Sequence, residues 1–199
     1  MKEIWNERYS DDDYYYGTIP NHFLTSIEGI LPNNAHILCL AEGEGRNAVY
    51  LASLGHHVTA VDFSLEGKKK AESLATKKNL PIHYVLSSLE DYSFGVEKWD
   101  AVISIFCHLP STIRPLIHQK VEKSLKLGGL FILQSYTPEQ LEHNTGGPKD
   151  LSMLYTENLI KNDFSYLKWV KLQREITEVF EGKGHTGLSS VLNAVGVKE

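Results

Sequence analysis

Residues 37–55 read ILCLAEGEGRNAVYLASLG, an apolar, β-rich run that passes through Gly43 and Gly45 into a stretch of good helix formers. Strand, glycine loop and helix form the opening unit of an open α/β sheet, whose ligands sit at the carboxyl ends of its strands. Glycines at this turn let the backbone approach whatever binds there. The alternation continues along the chain. Short apolar runs at 37–40, 58–61, 82–86, 101–106 and 130–134 read as strands. The stretches 46–54, 65–78 and 113–125 between them read as helices, the last stopped by Gly128-Gly129. Strands alternating with helices imply right-handed crossovers and a mainly parallel sheet. The tail departs from this pattern. Residues 166–180 and 188–197 are two β-prone runs joined by Glu181-Gly182-Lys183-Gly184, which reads as a terminal antiparallel hairpin. The expected fold is a doubly wound, Rossmann-like α/β sheet of about seven strands. It is expected to form one domain over 1–199, with an N-terminal lid or helical segment at 1–30 and an α/β core at 35–199.

Composition narrows the function. The formal net charge is −5 and no basic run exceeds Lys68-Lys69-Lys70, so the electrostatic footprint of a nucleic-acid binder is missing. The opening MKEIWNERYSDDDYYY carries charges where a signal peptide needs an apolar stretch. No apolar run approaches the ~20 residues of a membrane-spanning helix. Cys39 and Cys107 are the only cysteines and lie too far apart for a C-x-x-C motif. The nine histidines show no metal-ligand spacing, so no metal is expected. These features suggest a cytoplasmic, reduced protein acting on a small molecule, away from membranes and nucleic acids, as a monomer or homodimer.

The glycine loop admits two cofactors. Gly43-x-Gly45-x-x-Ala48 fits a nicotinamide dinucleotide fingerprint. However, Glu42 and Glu44 would then place like charges beside a pyrophosphate and cancel the attraction of a helix N-terminus for anions. S-adenosylmethionine has no phosphate, and its sulfonium and ammonium suit acidic neighbours. Asp62 ends the second strand in VTAVDFS, where a carboxylate accepts hydrogen bonds from both ribose hydroxyls of an adenosine.

In this order and spacing, these segments resemble class I S-adenosylmethionine-dependent methyltransferases, specifically the tellurite-resistance-type branch related to thiopurine methyltransferases. LAEGEGRNAVYLASLGHHVTAVDFS resembles the first two cofactor motifs and VLSSLEDYSF the third. WDAVISIFCHLP is similar to the fourth strand, and SLKLGGLFILQSYTPEQL to the fifth with its preceding Gly-Gly. WNERYSDDDYYYGTIPNHFL resembles the N-terminal lid. NTGGPKD resembles a late loop and EGKGHTGLSSVLNAVGVK the final hairpin. The resemblance implies a cofactor site of Ala41, Glu42, Gly43, Gly45 and Asn47 from the loop, and Asp62, Phe63 and Ser64 from the second motif. Ser88 and Leu89 would meet the adenine, Phe106 would follow the fourth strand, and Trp5, Tyr9, Tyr16 and Gly17 would come from the lid. Three positions depart from the family pattern. Cys39 replaces an acidic residue, Ala41 the first glycine of the loop, and Ser88 a common Asp.

Methyl transfer is an in-line displacement, and the protein's main task is to align the reacting atoms and exclude water. The absence of a carboxylate dyad or triad therefore does not count against the reading. His108, Tyr136 and His185 are the candidate catalytic residues, at the ends of two strands and in the hairpin turn. His185 lies among glycines and reads as the most exposed histidine, on a wall opposite the lid. The implied acceptor is a small molecule, such as a chalcogen oxyanion or a thiol. The alternatives are a nicotinamide-dependent oxidoreductase and a catalytically silent S-adenosylmethionine-binding protein.

Overall fold

A computed structural model describes residues 2–199. One seven-stranded sheet runs through it in the order β3-β2-β1-β4-β5-β7-β6. Its strands are β1 (His36–Leu40), β2 (His57–Asp62), β3 (His83–Leu86), β4 (Trp99–Ile105), β5 (Leu125–Tyr136), β6 (Leu167–Glu181) and β7 (His185–Lys198). The first five are mutually parallel, and β7 runs antiparallel between β5 and β6. The expected sheet and terminal hairpin are both present.

Because side chains alternate across a strand, β1 buries both faces. Leu38 and Leu40 enter one core with Phe131, Ile117 and Leu192. Ile37 and Cys39 enter the other with Ala48, Leu51 and Ile103. Helices α3 (Arg46–Ser53) and α4 (Leu65–Lys77) follow β1 and β2, and α5 (Arg114–Ser124) follows β4. Two short helices, α1 (Lys2–Arg8) and α2 (His22–Ile27), belong to the N-terminal segment, and α6 (Glu157–Asp163) precedes the hairpin. No helix among the described residues is long and apolar enough to cross a membrane.

Two glycine assignments change. Gly128-Gly129 does not stop the helix, which ends at Ser124 and passes directly into β5. The register instead slips between Trp99↔Leu125 and Ala101↔Leu130. A Cβ on Gly129 would meet Lys126 O at 2.8 Å, so the irregularity itself demands glycine. Gly45 is likewise not a ligand-approach position. It caps α3 with φ +87°, and a Cβ there would lie 2.5 Å from Ala71 Cβ, so the residue exists to seat α3 against α4.

Ala41 has the opposite problem. It follows β1 directly with φ +48°, a left-handed conformation that a side chain tolerates poorly and that explains why a glycine suits this position. Ala41→Gly is therefore expected to raise stability by about 0.5–1 kcal/mol. Gly45→Ala, facing both strain and overlap, is expected to lower it by about 2 kcal/mol or more. Urea unfolding of the two variants checks both signs.

Candidate active site

The carboxyl ends of β1, β2 and β4 open into a cavity of about 460 Å³, closed by the N-terminal segment, residues 146–153 and the hairpin turn. Trp5, Tyr9, Tyr16, Ala41, Glu42, Asn47, Asp62, Phe63, Ser88, Leu89, Phe106, His108 and His185 all line it. Gly17, Gly43, Gly45, Ser64 and Tyr136 do not. Gly43 lies under the Tyr9 hydroxyl, and its N–H donates to Asp62 Oδ2 at 3.0 Å. Ser64 caps α4 by accepting from Gly67 N, and its hydroxyl bonds Asn6 Oδ1 at 2.8 Å. Gly17 only lets the chain turn after Tyr16, with φ +71° and open space around it. Tyr136 is fully buried behind Gly146-Gly147, where a Cβ on Gly147 would strike its ring at 2.5 Å.

The two loop glutamates have separate duties. Glu42 Oε1 accepts from Asn47 N at 2.9 Å and Ala48 N at 2.7 Å, so it occupies the N-terminus of α3. A pyrophosphate would need those same donors, and the carboxylate leaves it no place. Glu44 turns away from the cavity, contrary to the charge argument drawn from the loop. It accepts from Tyr15 N at 3.1 Å and Tyr16 N at 3.2 Å and pairs with Lys70 at 2.8 Å, pinning the N-terminal segment to the loop. Asp62 accepts one backbone N–H on each oxygen, from Gly43 and from Ser64 at 2.7 Å. Phe63 N–H adds a third backbone bond, and the carboxylate still has acceptor capacity left for a ribose hydroxyl.

The N-terminal aromatics pack as one group. Trp5 and Tyr9 lie 5.5 Å apart, Tyr9 and Tyr16 6.4 Å, and Arg8 stacks 4.5 Å over Trp5. Tyr16 also touches His185 at 4.6 Å, so the lid and the hairpin are not opposite walls but meet. Lys183 N donates to Tyr15 O at 2.8 Å, and Gly184 has no room for a Cβ beside the Tyr15 and Tyr16 rings. This contact buries His185, whose exposure is only 7% and not the solvent-facing position its glycine neighbours suggested. Phe106 lies 4.5 Å from His185, and His108 stacks on Tyr136 at 5.5 Å.

Three residues missed in the sequence hold this corner together. Glu181, at the end of β6, pairs with Arg46 of α3 and accepts from Asn21 Nδ2 at 2.7 Å. Asn21 caps α2, donates to Gln134 Oε1 at 2.6 Å, and through its own N–H reaches Asn47 Oδ1 at 2.9 Å. Arg46 followed the glycine loop in plain view, but its partner stands 135 residues away and no local signal pairs them. Arg174 faces outward, bonded to Glu139 and Glu157.

Electrostatically the site holds two neutral imidazoles. Burial pushes His108 down to about 3, opposed by its bond to Met153 O, which lies 3.1 Å from Nδ1. A carbonyl can only accept, so Nδ1 carries the proton and the unpartnered Nε2 offers a lone pair. Burial also lowers His185, against the pull of Glu181, whose Oε2 is 3.5 Å from the unpartnered Nδ1. Glu181 itself is held down to about 2 despite burial, chiefly by His185 and Arg46. Cys107 lines the cavity as a buried thiol pushed up to about 12, too high to serve as a thiolate.

Residues 37–129 match the family described as methyltransferase domain. Over 127 residues the chain is 34% identical to probable thiol methyltransferase 2 of Arabidopsis thaliana, covering 60% of this chain and 53% of that protein. The chain thus spans about half the length of that relative. Among solved structures, the N-methyltransferase NodS of Bradyrhizobium japonicum with bound S-adenosylhomocysteine superposes with TM-score 0.73 at 15% identity, over 99% of this chain and 97% of that one. TehB of Haemophilus influenzae superposes with TM-score 0.71 at 19% identity, over all of this chain and 67% of that one. The fold is that of class I S-adenosylmethionine-dependent methyltransferases.

Glu42 provides a test of this electrostatic account. Burial lifts its carboxyl to about 7, with Ala48, Arg46 and Asn47 opposing the rise. A folded-state pKa raised above the unfolded value costs nothing below about pH 4.5, costs progressively more up to about pH 7, and stays constant above. Glu42→Gln keeps the helix cap and removes the charge. It is expected to match the wild type near pH 4 and to exceed its stability at pH 8 by about 1–2 kcal/mol, reduced because the group borders a wet cavity. Urea unfolding at the two pH values checks the widening gap.

Proposed function

We propose that this chain, a methyltransferase domain on a class I fold, transfers the methyl group of S-adenosylmethionine to a small thiol. The observation that carries the acceptor class is that both cations lining the cavity are already engaged within the protein. Arg8 stacks over the Trp5 ring, and Arg46 is paired with the buried Glu181 beside His185. The rest of the lining at that end, Phe106, His108, Ile113, Pro148 and Met153, carries no charge. A doubly charged oxyanion would be desolvated there without a partner, at a cost of several kcal/mol. A thiol enters as a neutral, polarisable group.

The residues present fit the cofactor. Asp62 lines the cavity with acceptor capacity left for a ribose hydroxyl, and Trp5, Tyr9 and Tyr16 line it with aromatic rings suited to a cation. S-adenosylmethionine, when bound, supplies an electrophilic methyl on a sulfonium. Leu89 and Ser88 border the adenine position, and the lid excludes water above it. Phe106, His108 and His185 then orient the acceptor sulfur. His185 accepts the thiol proton, and the imidazolium is steadied by Glu181. Transfer of that methyl to the acceptor sulfur would give two neutral thioethers, and His185 would pass the thiol proton on to solvent. His108 is too weak a base for that step and serves as a hydrogen-bond acceptor.

Incubation with labelled S-adenosylmethionine and a panel of small thiols, selenite, tellurite and amines tests the reading. Thiols are expected to take the label, and turnover of an oxyanion with none of any thiol would overturn the acceptor class. In the same assay Asp62→Ala is expected to weaken cofactor binding by about 1.5–3 kcal/mol. His185→Ala is expected to lower kcat by more than it weakens cofactor binding, which it also touches through Tyr16.

A further inference from the structure

The sheet ends in an open edge. β6 pairs with β7 on one side, and among the described residues no strand pairs with the other. Exposed edges of this length are usually blunted by lysine, proline or a bulge. Here such devices stop early. Lys168 and Lys171 flank a register shift between Trp169 and Lys171, but residues 172–180 read LQREITEVF with no lysine, proline, glycine or bulge. Along that stretch Ile176 is 63% and Phe180 70% exposed, and Leu188 on the adjoining β7 is 47% exposed. An open, regular edge beside apolar side chains is a surface prepared for another strand.

The order of side chains identifies which strand. If two copies of β6 lie antiparallel about a two-fold axis through Ile176, that residue faces its own copy. On the same face Leu172 then stands opposite Phe180 and Arg174 opposite Glu178, each pair occurring twice. On the other face Glu175 meets Thr177. There too Gln173 meets Val179; on the face that carries Ile176, every apolar group meets an apolar group and the cation meets an anion. Shifting the register by two residues either way sets Arg174 against Phe180 or Ile176, and Glu178 against Ile176 or Leu172. A strand complementary to itself in one register carries the signature of an isologous contact. Arg174 already bonds Glu139 and Glu157, and across the axis Glu178 would add a third carboxylate. From this self-complementarity we propose that β6 joins a second copy of the chain, forming one continuous sheet across a two-fold axis. The proposal does not depend on the identity of the substrate.

Light scattering and sedimentation equilibrium on the full chain test it. The wild type is expected at twice the 22.5 kDa of one chain. Glu178→Arg opposes arginines at both ends of the pairing and is expected to weaken self-association about tenfold or more, while the double variant Arg174→Glu with Glu178→Arg recovers it. Circular dichroism confirms that each variant keeps its sheet. Ile176→Cys, facing its own copy, is expected to form an intermolecular disulfide, while Thr177→Cys is not. A wild type that stays monomeric at high concentration overturns the proposal, as does a dimer indifferent to Glu178→Arg that Ile176→Cys fails to cross-link. A monomer that instead captures an added β-strand peptide along β6 overturns it in favour of a foreign partner.

Discussion

The Glu181 carboxylate is the knot of the molecule. It is buried at the hairpin turn, and a buried charge is tolerable only where its partners satisfy it. Arg46 brings α3 and the glycine loop, Asn21 brings the end of the N-terminal segment, and His185 brings the start of β7. Three regions remote in sequence therefore meet on one side chain. Loss of one partner would leave a desolvated charge behind, so each of these regions is held in place by the others. The lid, the floor and the hairpin wall of the cavity share this anchor.

That arrangement changes what the lid is. A separate flap would cover the cofactor and leave the acceptor pocket alone. Here Tyr16 lies against His185, and Tyr15 bonds the hairpin backbone at Lys183. The residues that shield one end of the cavity also bury the imidazole at the other. Glu44 adds a second fastening by accepting the N–H groups of Tyr15 and Tyr16. Cofactor enclosure and acceptor placement are consequently coupled through direct contact.

The sheet was largely legible from the sequence because burial on both faces writes continuous apolar runs, as in 37–40 and 101–106, and glycine marks the hairpin turn at 182 and 184. The helix at 113–125 ends within one residue of the expected place, but the Gly128-Gly129 signal belongs to a strand irregularity that only the pairing with Trp99 explains. Much of the cavity lining was legible too, through its motif positions. What the sequence hid was direction. Glycine neighbours made His185 look exposed, yet the lid buries it. Glu42 and Glu44, two residues apart, looked equivalent, yet one caps a helix and the other holds the lid. Asn21, Arg46 and Glu181 form a network spanning 160 residues, which no periodicity reports.

The central claim is that the cavity between the glycine loop, Asp62 and the aromatic lid takes an adenosyl cofactor without a phosphate. Calorimetric titration of the protein with S-adenosylhomocysteine and, separately, with NAD measures this most directly. The account predicts one S-adenosylhomocysteine per chain and markedly weaker binding of NAD, because Glu42 already occupies the helix N-terminus a pyrophosphate requires. Tighter binding of NAD would contradict it.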